Sequence, residues 1–136
     1  MERSDELRDL MLQFYAALSS GDISFIDQHF STAEEVRGIG TDPTEWWSGH
    51  RLIEVWKEQI DALGGSMPIT AGDLEAFAEG NIGWVADRPT LDVGDGNPVA
   101  IRFTAVFRRE DGEWKLVQSH GSIGLPNESS FGALPT

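Results

Sequence analysis

The sequence contains no cysteine, a single tyrosine, and only 10 lysines and arginines against 23 acidic residues. Without thiols there is no disulfide frame, no thiolate metal site and no thiol nucleophile, and the redox compartment stays open. The shortage of basic side chains leaves a formal net charge of −13 at pH 7, with Arg108-Arg109 the one adjacent basic pair. A surface of that sign repels phosphate backbones and anionic headgroups, so neither nucleic acid nor a membrane surface is an expected partner. The carboxylates are read more simply as solubilising. No apolar run approaches the roughly 20 residues of a membrane-spanning helix. The segment Met1-Glu2-Arg3-Ser4-Asp5-Glu6 lacks the apolar stretch of a signal peptide, so a cytoplasmic location is the default expectation.

What is present suits one folded unit. The 136 residues are 40% hydrophobic and include five tryptophans, enough to build a core despite the charge. No repeat, linker or low-complexity tract divides the chain, so a single domain over residues 1–136 is expected. Its ordered core is placed at about 5–123, with a loosely ordered tail at 125–136.

The hydrophobic period changes once along the chain. Leu7, Leu10, Met11, Phe14, Tyr15 and Leu18 recur at helical spacing and predict an amphipathic helix closed by Ser20-Gly21. Asp22 is placed to cap a short second helix carrying Ile23, Ile26 and Phe30. Asp42-Pro43-Thr44-Glu45 has the pattern of a helix start. Ser48 then caps a longer helix with Leu52, Ile53, Trp56, Ile60 and Leu63 inward, stopped by Gly64-Gly65. After Pro68 the period becomes two, and strands are expected at about 69–79, 82–90, 99–109 and 114–123. Their short links predict an antiparallel meander, and a weak further strand signal lies at about 36–39. Helices first and strands after define an α+β class.

Register in the last hairpin decides which side chains meet. A three-residue loop at Glu110-Asp111-Gly112, with Gly112 left-handed, sets Arg109 opposite Glu113. Counting back, Arg108 faces Trp114, Val106 faces Leu116, Thr104 faces Gln118 and Arg102 faces His120. The other face of that strand carries Val99, Ile101, Phe103, Ala105 and Phe107 and is apolar. A four-residue loop instead brings Phe103 opposite His120.

Three stretches in this order resemble the nuclear-transport-factor-2-like superfamily, and in particular its SnoaL-like branch. They are Phe14-Tyr15-Ala16-Ala17-Leu18-Ser19-Ser20-Gly21-Asp22, then Gly40-Thr41-Asp42-Pro43-Thr44-Glu45-Trp46-Trp47-Ser48-Gly49, and Gly112-Glu113-Trp114-Lys115-Leu116-Val117-Gln118-Ser119-His120. The resemblance implies a cone-shaped (cystatin-like) fold in which a curved, mainly antiparallel sheet wraps the N-terminal helices. It also implies an apolar pocket opening into the cone and a homodimer formed through the convex face. On that scheme the apolar strand face meets a partner subunit and the mixed face lines the pocket. This superfold hosts many functions, so the resemblance speaks for fold more than for chemistry. The ketosteroid isomerases of this fold use a tyrosine on the first helix, and aligned on Ala16-Ala17-Leu18 that place falls on Phe14. Their sheet aspartate falls near Thr104, so ketosteroid isomerase activity is rejected. Tyr15 could offer a hydroxyl only if the helix were rotated.

The candidate catalytic pair is His120 with Arg102. An imidazole can move a proton near working pH, and a guanidinium beside it favours its neutral form. The bland alternative pairs Arg102 with a carboxylate such as Asp87 and leaves His120 bonded to backbone. His29 suits the C-terminal end of the short helix as a cation, and His50 suits solvent. No histidine spacing supports a metal, so neither a metal nor another cofactor is expected. Candidate pocket residues are Phe14, Tyr15, Trp46, Trp47, Trp56, Trp84, Thr104 and Gln118, although any one of these aromatics serves equally as core. Trp46 and Trp47, adjacent on a helix, cannot point the same way.

Three functions follow as alternatives. The first is a SnoaL-like protein binding a small organic molecule in an apolar, aromatic pocket. The second is an isomerase, cyclase or dehydratase with His120 as proton shuttle beside Arg102. The third is a dimeric interaction module with its cavity filled by side chains.

Overall fold

A computed structural model describes residues 1–136. A short strand β1 (Glu2–Arg3) leads into helix α1 (Asp5–Ser20), whose N-terminus is capped by Ser4 Oγ accepting the Leu7 amide at 3.2 Å. Leu7, Met11, Phe14, Tyr15, Ala17 and Leu18 form its buried stripe, as the helical spacing requires. Helix α2 (Ser24–His29) follows, with the Asp22 carboxylate accepting the Ser24 amide at 3.1 Å. Next come β2 (Arg37–Ile39), β3 (Trp46–Ser48) and helix α3 (His50–Ala62), which buries Leu52, Ile53, Val55 and Ile60. The remainder is stranded: β4 (Ile69–Thr70), β5 (Glu75–Glu79), β6 (Ile82–Asp87), β7 (Thr90–Leu91), β8 (Val99–Ala100), β9 (Arg102–Glu110) and β10 (Glu113–Ser122).

Seven strands form one curved sheet in the order β1-β5-β6-β9-β10-β2-β3, and β4-β7-β8 form a small second sheet. Neighbours pair antiparallel except β2, which lies parallel to β10. The helices pack into the concave side, giving the expected α+β cone. Its core runs through the buried residues Leu7, Met11, Phe14, Ile26, Leu52, Val85, Phe107 and Leu116. No helix is long and apolar enough to cross a membrane.

Two local expectations are corrected. Asp42-Pro43-Thr44-Glu45 closes a turn rather than opening a helix: the Glu45 amide donates to Asp42 O at 2.9 Å, and the Asp42 amide returns to Glu45 Oε1 at 2.8 Å. The Asp42 carboxylate accepts the Thr44 amide at 2.8 Å rather than that of Glu45, and the next residues pair with β2 as a strand. Ser48 ends that strand, and α3 begins after Gly49 without a side-chain cap.

The last hairpin is the second correction. Asp111 and Gly112 both have positive φ, 52° and 81°, which makes a two-residue turn with Glu110 opposite Glu113. A bulge at Val117 then advances the pairing again, so His120 lies opposite Thr104 and Ser122 opposite Arg102. Two one-residue shifts restore the parity, so Arg102, Thr104, Gln118 and His120 do share a face. That face is the outer one. Phe103, Ala105 and Phe107 point into the cone, where the helices need apolar surface, and the polar set is exposed on the convex side.

Candidate functional site

A cavity of about 350 Å³ opens between α1, α3 and the concave face of the sheet. Helix α1 contributes Phe14, Tyr15 and Leu18, and α3 contributes Trp56, Gln59 and Ala62, followed by Leu63 at its C-cap, a spacing that keeps them toward one side of each helix. The β2–β3 connection adds Ile39, Gly40, Thr41, Glu45 and Trp47. Met67, Ile69, Leu91 and Val93 close one side, and Ile101, Phe103, Ser119 and Gly121 form the sheet wall. The aromatic end is rigidly packed: Phe14 stacks on Phe25 at 5.3 Å between ring centres and meets the edges of Phe30 and Trp56 at 5.6 and 5.4 Å.

Polar groups reach the wall at three places. At one, the Tyr15 hydroxyl donates to Asp87 Oδ2 at 2.9 Å. Asp87 is only 5% exposed, and its Oδ1 also accepts the amides of Gly72 at 3.1 Å and Arg88 at 2.7 Å. Gly72 permits this approach because a Cβ there would lie 2.1 Å from the Arg88 carbonyl oxygen. Burial, followed by the charge of Asp87 and the bond to it, pushes the Tyr15 phenol well above its ordinary range. The hydroxyl proton is thus committed to Asp87.

At the second place, Glu45 folds over Gly40, where a Cβ would come within 2.8 Å of its carboxylate. Glu45 Oε2 accepts Gln59 Nε2 at 2.6 Å and Oε1 accepts the Asp42 amide at 2.8 Å. At the third, Ser119 is 2% exposed and sits in the sheet wall, paired with Ala105 of β9. No lysine, arginine or histidine lines the cavity, and Glu45 is its one acidic residue.

Of the residues singled out from the sequence, Phe14, Tyr15, Trp47 and Trp56 line this cavity. The others are elsewhere. Trp46 and Trp47 alternate on a strand, so Trp47 turns inward while Trp46 is 67% exposed. Trp84 lies on the outer face, stacked on Phe77 at 4.8 Å, with Arg3 over the Phe77 ring. Thr104 and Gln118 are exposed on that same outer face, as is His120. Arg102 donates from Nε to Ser122 Oγ at 3.2 Å, not to Asp87. His29 packs its ring on Phe25 at 4.2 Å, and burial followed by nearby Lys115 holds it below the ordinary imidazole range, so it is not the helix-end cation expected. His50 is exposed, 4.0 Å from Glu54.

The sequence reading missed Glu45, Gln59 and Ser119 as wall groups and Asp87 as the partner of Tyr15. One signal was available. Gly83, Val85 and Asp87 share a strand face, so a carboxylate ends an otherwise inward apolar row and needs a buried donor.

The comparisons with known proteins agree with this architecture. A nuclear-transport-factor-2-like protein of unknown function from Pseudomonas putida superposes with a TM-score of 0.79 at 19% identity, covering 96% of this chain and 93% of its own. A protein from Streptomyces avermitilis, provisionally named a dehydratase of the same family, gives a TM-score of 0.73 at 19% identity over 90% of this chain and 96% of its own. A cystatin-like protein from Caulobacter vibrioides gives 0.73 at 13% identity, with 92% of each chain covered. At such identities these likenesses speak for the fold alone. No curated protein matches the chain. The family model described as the SnoaL-like domain matches residues 7–126, and the chain belongs to that family.

Proposed function

We propose that this protein binds a small, largely apolar organic molecule in the cone cavity. The observation that carries the reading is an unfilled space of about 350 Å³ with aromatic and aliphatic walls and a few convergent polar groups. Ligand pockets are typically about 300–1,000 Å³ and built in this way. A cavity of that size argues against the module with a filled interior. The enzyme alternative draws support from the family and from the name of the Streptomyces avermitilis neighbour, but His120 and Arg102 face away from the cavity and the Tyr15 proton is held by Asp87.

Gly121 supplies the test. A Cβ there meets only Phe103, at 3.8 Å, so a large side chain can grow into the cavity without a backbone clash. Gly121→Trp is expected to keep the melting temperature and weaken binding of a neutral probe, naphthylmethanol, by at least about tenfold in calorimetric titration. Unchanged affinity in a folded Gly121→Trp would place the probe elsewhere and sink the reading.

The proposal extends to a homodimer through the outer face of the sheet. Trp84, Phe77 and Val106 are half-buried there and Ile82 is 44% exposed, a patch suited to self-association. Sedimentation at micromolar concentration is expected to give a dimer for the wild type and a monomer for Trp84→Glu. A wild type that sediments as a monomer removes the proposal.

A further inference from the structure

We infer that the cavity selects a compact apolar ring system bearing a protonated amine and rejects anions of the same shape. This inference rests on the cavity being a ligand site and names the class of ligand. Glu45 carries it. The half-buried carboxylate receives only neutral donors, namely the Gln59 amide, the Asp42 backbone amide and the Thr41 hydroxyl. It belongs to no salt bridge, and no lysine, arginine or histidine lines the cavity. A half-buried carboxylate in an apolar wall, with no counterion of its own, attracts a cation arriving on a ligand through a charge-assisted bond.

The surroundings favour the same charge. Gln59 gives one of its two N–H donors to Glu45, and its amide oxygen is a further acceptor. The rings of Trp47 and Trp56 give apolar contact to a ligand ring. Outside, exposed Asp42, Asp61 and Asp92 adjoin the wall residues Thr41, Ala62 and Val93 in sequence, on a chain of net charge −13. An anionic ligand therefore meets repulsion on approach and finds no cation within. Glu45 is also placed by design of the local backbone: Gly40 leaves the room its carboxylate occupies, and the Asp42 turn fixes one of its oxygens.

Three probes on one skeleton test the inference by calorimetry: naphthylmethylamine, naphthylmethanol and naphthoate. The amine is expected to bind at least about tenfold tighter than the alcohol, with naphthoate weakest, as a charge-assisted contact in place of a neutral one predicts. In Glu45→Gln, which is isosteric, the preference for amine over alcohol is expected to fall to within about threefold. Thr41 is exposed and gives Glu45 only a long bond of 3.5 Å, so Thr41→Lys provides a second variant that keeps Glu45 and its two shorter bonds; it is expected to weaken the amine and strengthen naphthoate. Glu128→Gln, remote on the tail, controls for the overall charge and is expected to keep the wild-type order. Naphthoate binding as tightly as the amine overturns the inference but leaves the cavity reading intact. So does an amine preference that survives Glu45→Gln. If none of the three probes binds the wild type, the cavity reading itself falls and takes the inference with it.

Discussion

Asp87→Ala is expected to lower the free energy of unfolding by about 3–5 kcal/mol, measured by denaturant titration. The carboxylate takes three hydrogen bonds, from the Tyr15 hydroxyl at 2.9 Å and from the amides of Arg88 and Gly72 at 2.7 and 3.1 Å. Each donor left buried without an acceptor costs about 1–3 kcal/mol, and the alanine supplies none. The site has little room to relax, because Asp87 is 5% exposed and Gly72 is already in close contact with the backbone of Arg88. Asp87→Asn retains one acceptor oxygen and is expected to lose about half as much. A loss below about 1 kcal/mol in Asp87→Ala would show that water replaces the carboxylate and that the triad of donors contributes little.

At alkaline pH, Tyr15 is expected to stay protonated until the protein unfolds. It is the only tyrosine, so tyrosinate absorbance reports on this one hydroxyl. Its folded pKa is raised, first by burial and then by the charge of Asp87 and the hydrogen bond to it. The unfolded chain releases this proton near pH 10 while the native state keeps it, so the native state binds more protons and stability falls as pH rises. The contribution is fully present below about pH 10 and is lost at about 1.4 kcal/mol per pH unit above it. Tyr15→Phe removes that part of the slope. A folded protein showing ordinary tyrosinate formation near pH 10 contradicts the buried pair.

Both predictions concern groups that the sequence brought into view without showing their relation. Tyr15 was visible as part of a helical stripe, and Asp87 as a strand carboxylate offered as a partner for Arg102. Residues 72 positions apart in the chain meet only because α1 crosses the sheet beside β6. Glu45 was legible as a residue that returns a bond to Asp42, and the bond exists. Its second oxygen, held by Gln59 from α3, depends on how that helix docks against the β2–β3 turn. The aromatic wall was more accessible, since Phe14 and Trp56 follow from helical period alone. Trp84 did not follow: its alternation with Ile82 and Ala86 was clear, but not which way that row faced.

Sequence alone determined the succession of helices and then strands, the amphipathic stripe of α1, the α+β class and the existence of a turn within Glu110-Asp111-Gly112. These are local properties, set by side-chain period, capping and the backbone freedom of glycine. Tertiary structure decided the rest. Whether Trp46-Trp47-Ser48 is helix or strand depends on β2 offering an edge, and the alignment of His120 depends on a bulge at Val117. Which side of the sheet becomes the inside depends on where the helices must hide their apolar faces. Alternation assigns residues to two faces, but only the curvature of the packed sheet says which face encloses the cavity and which lies outside.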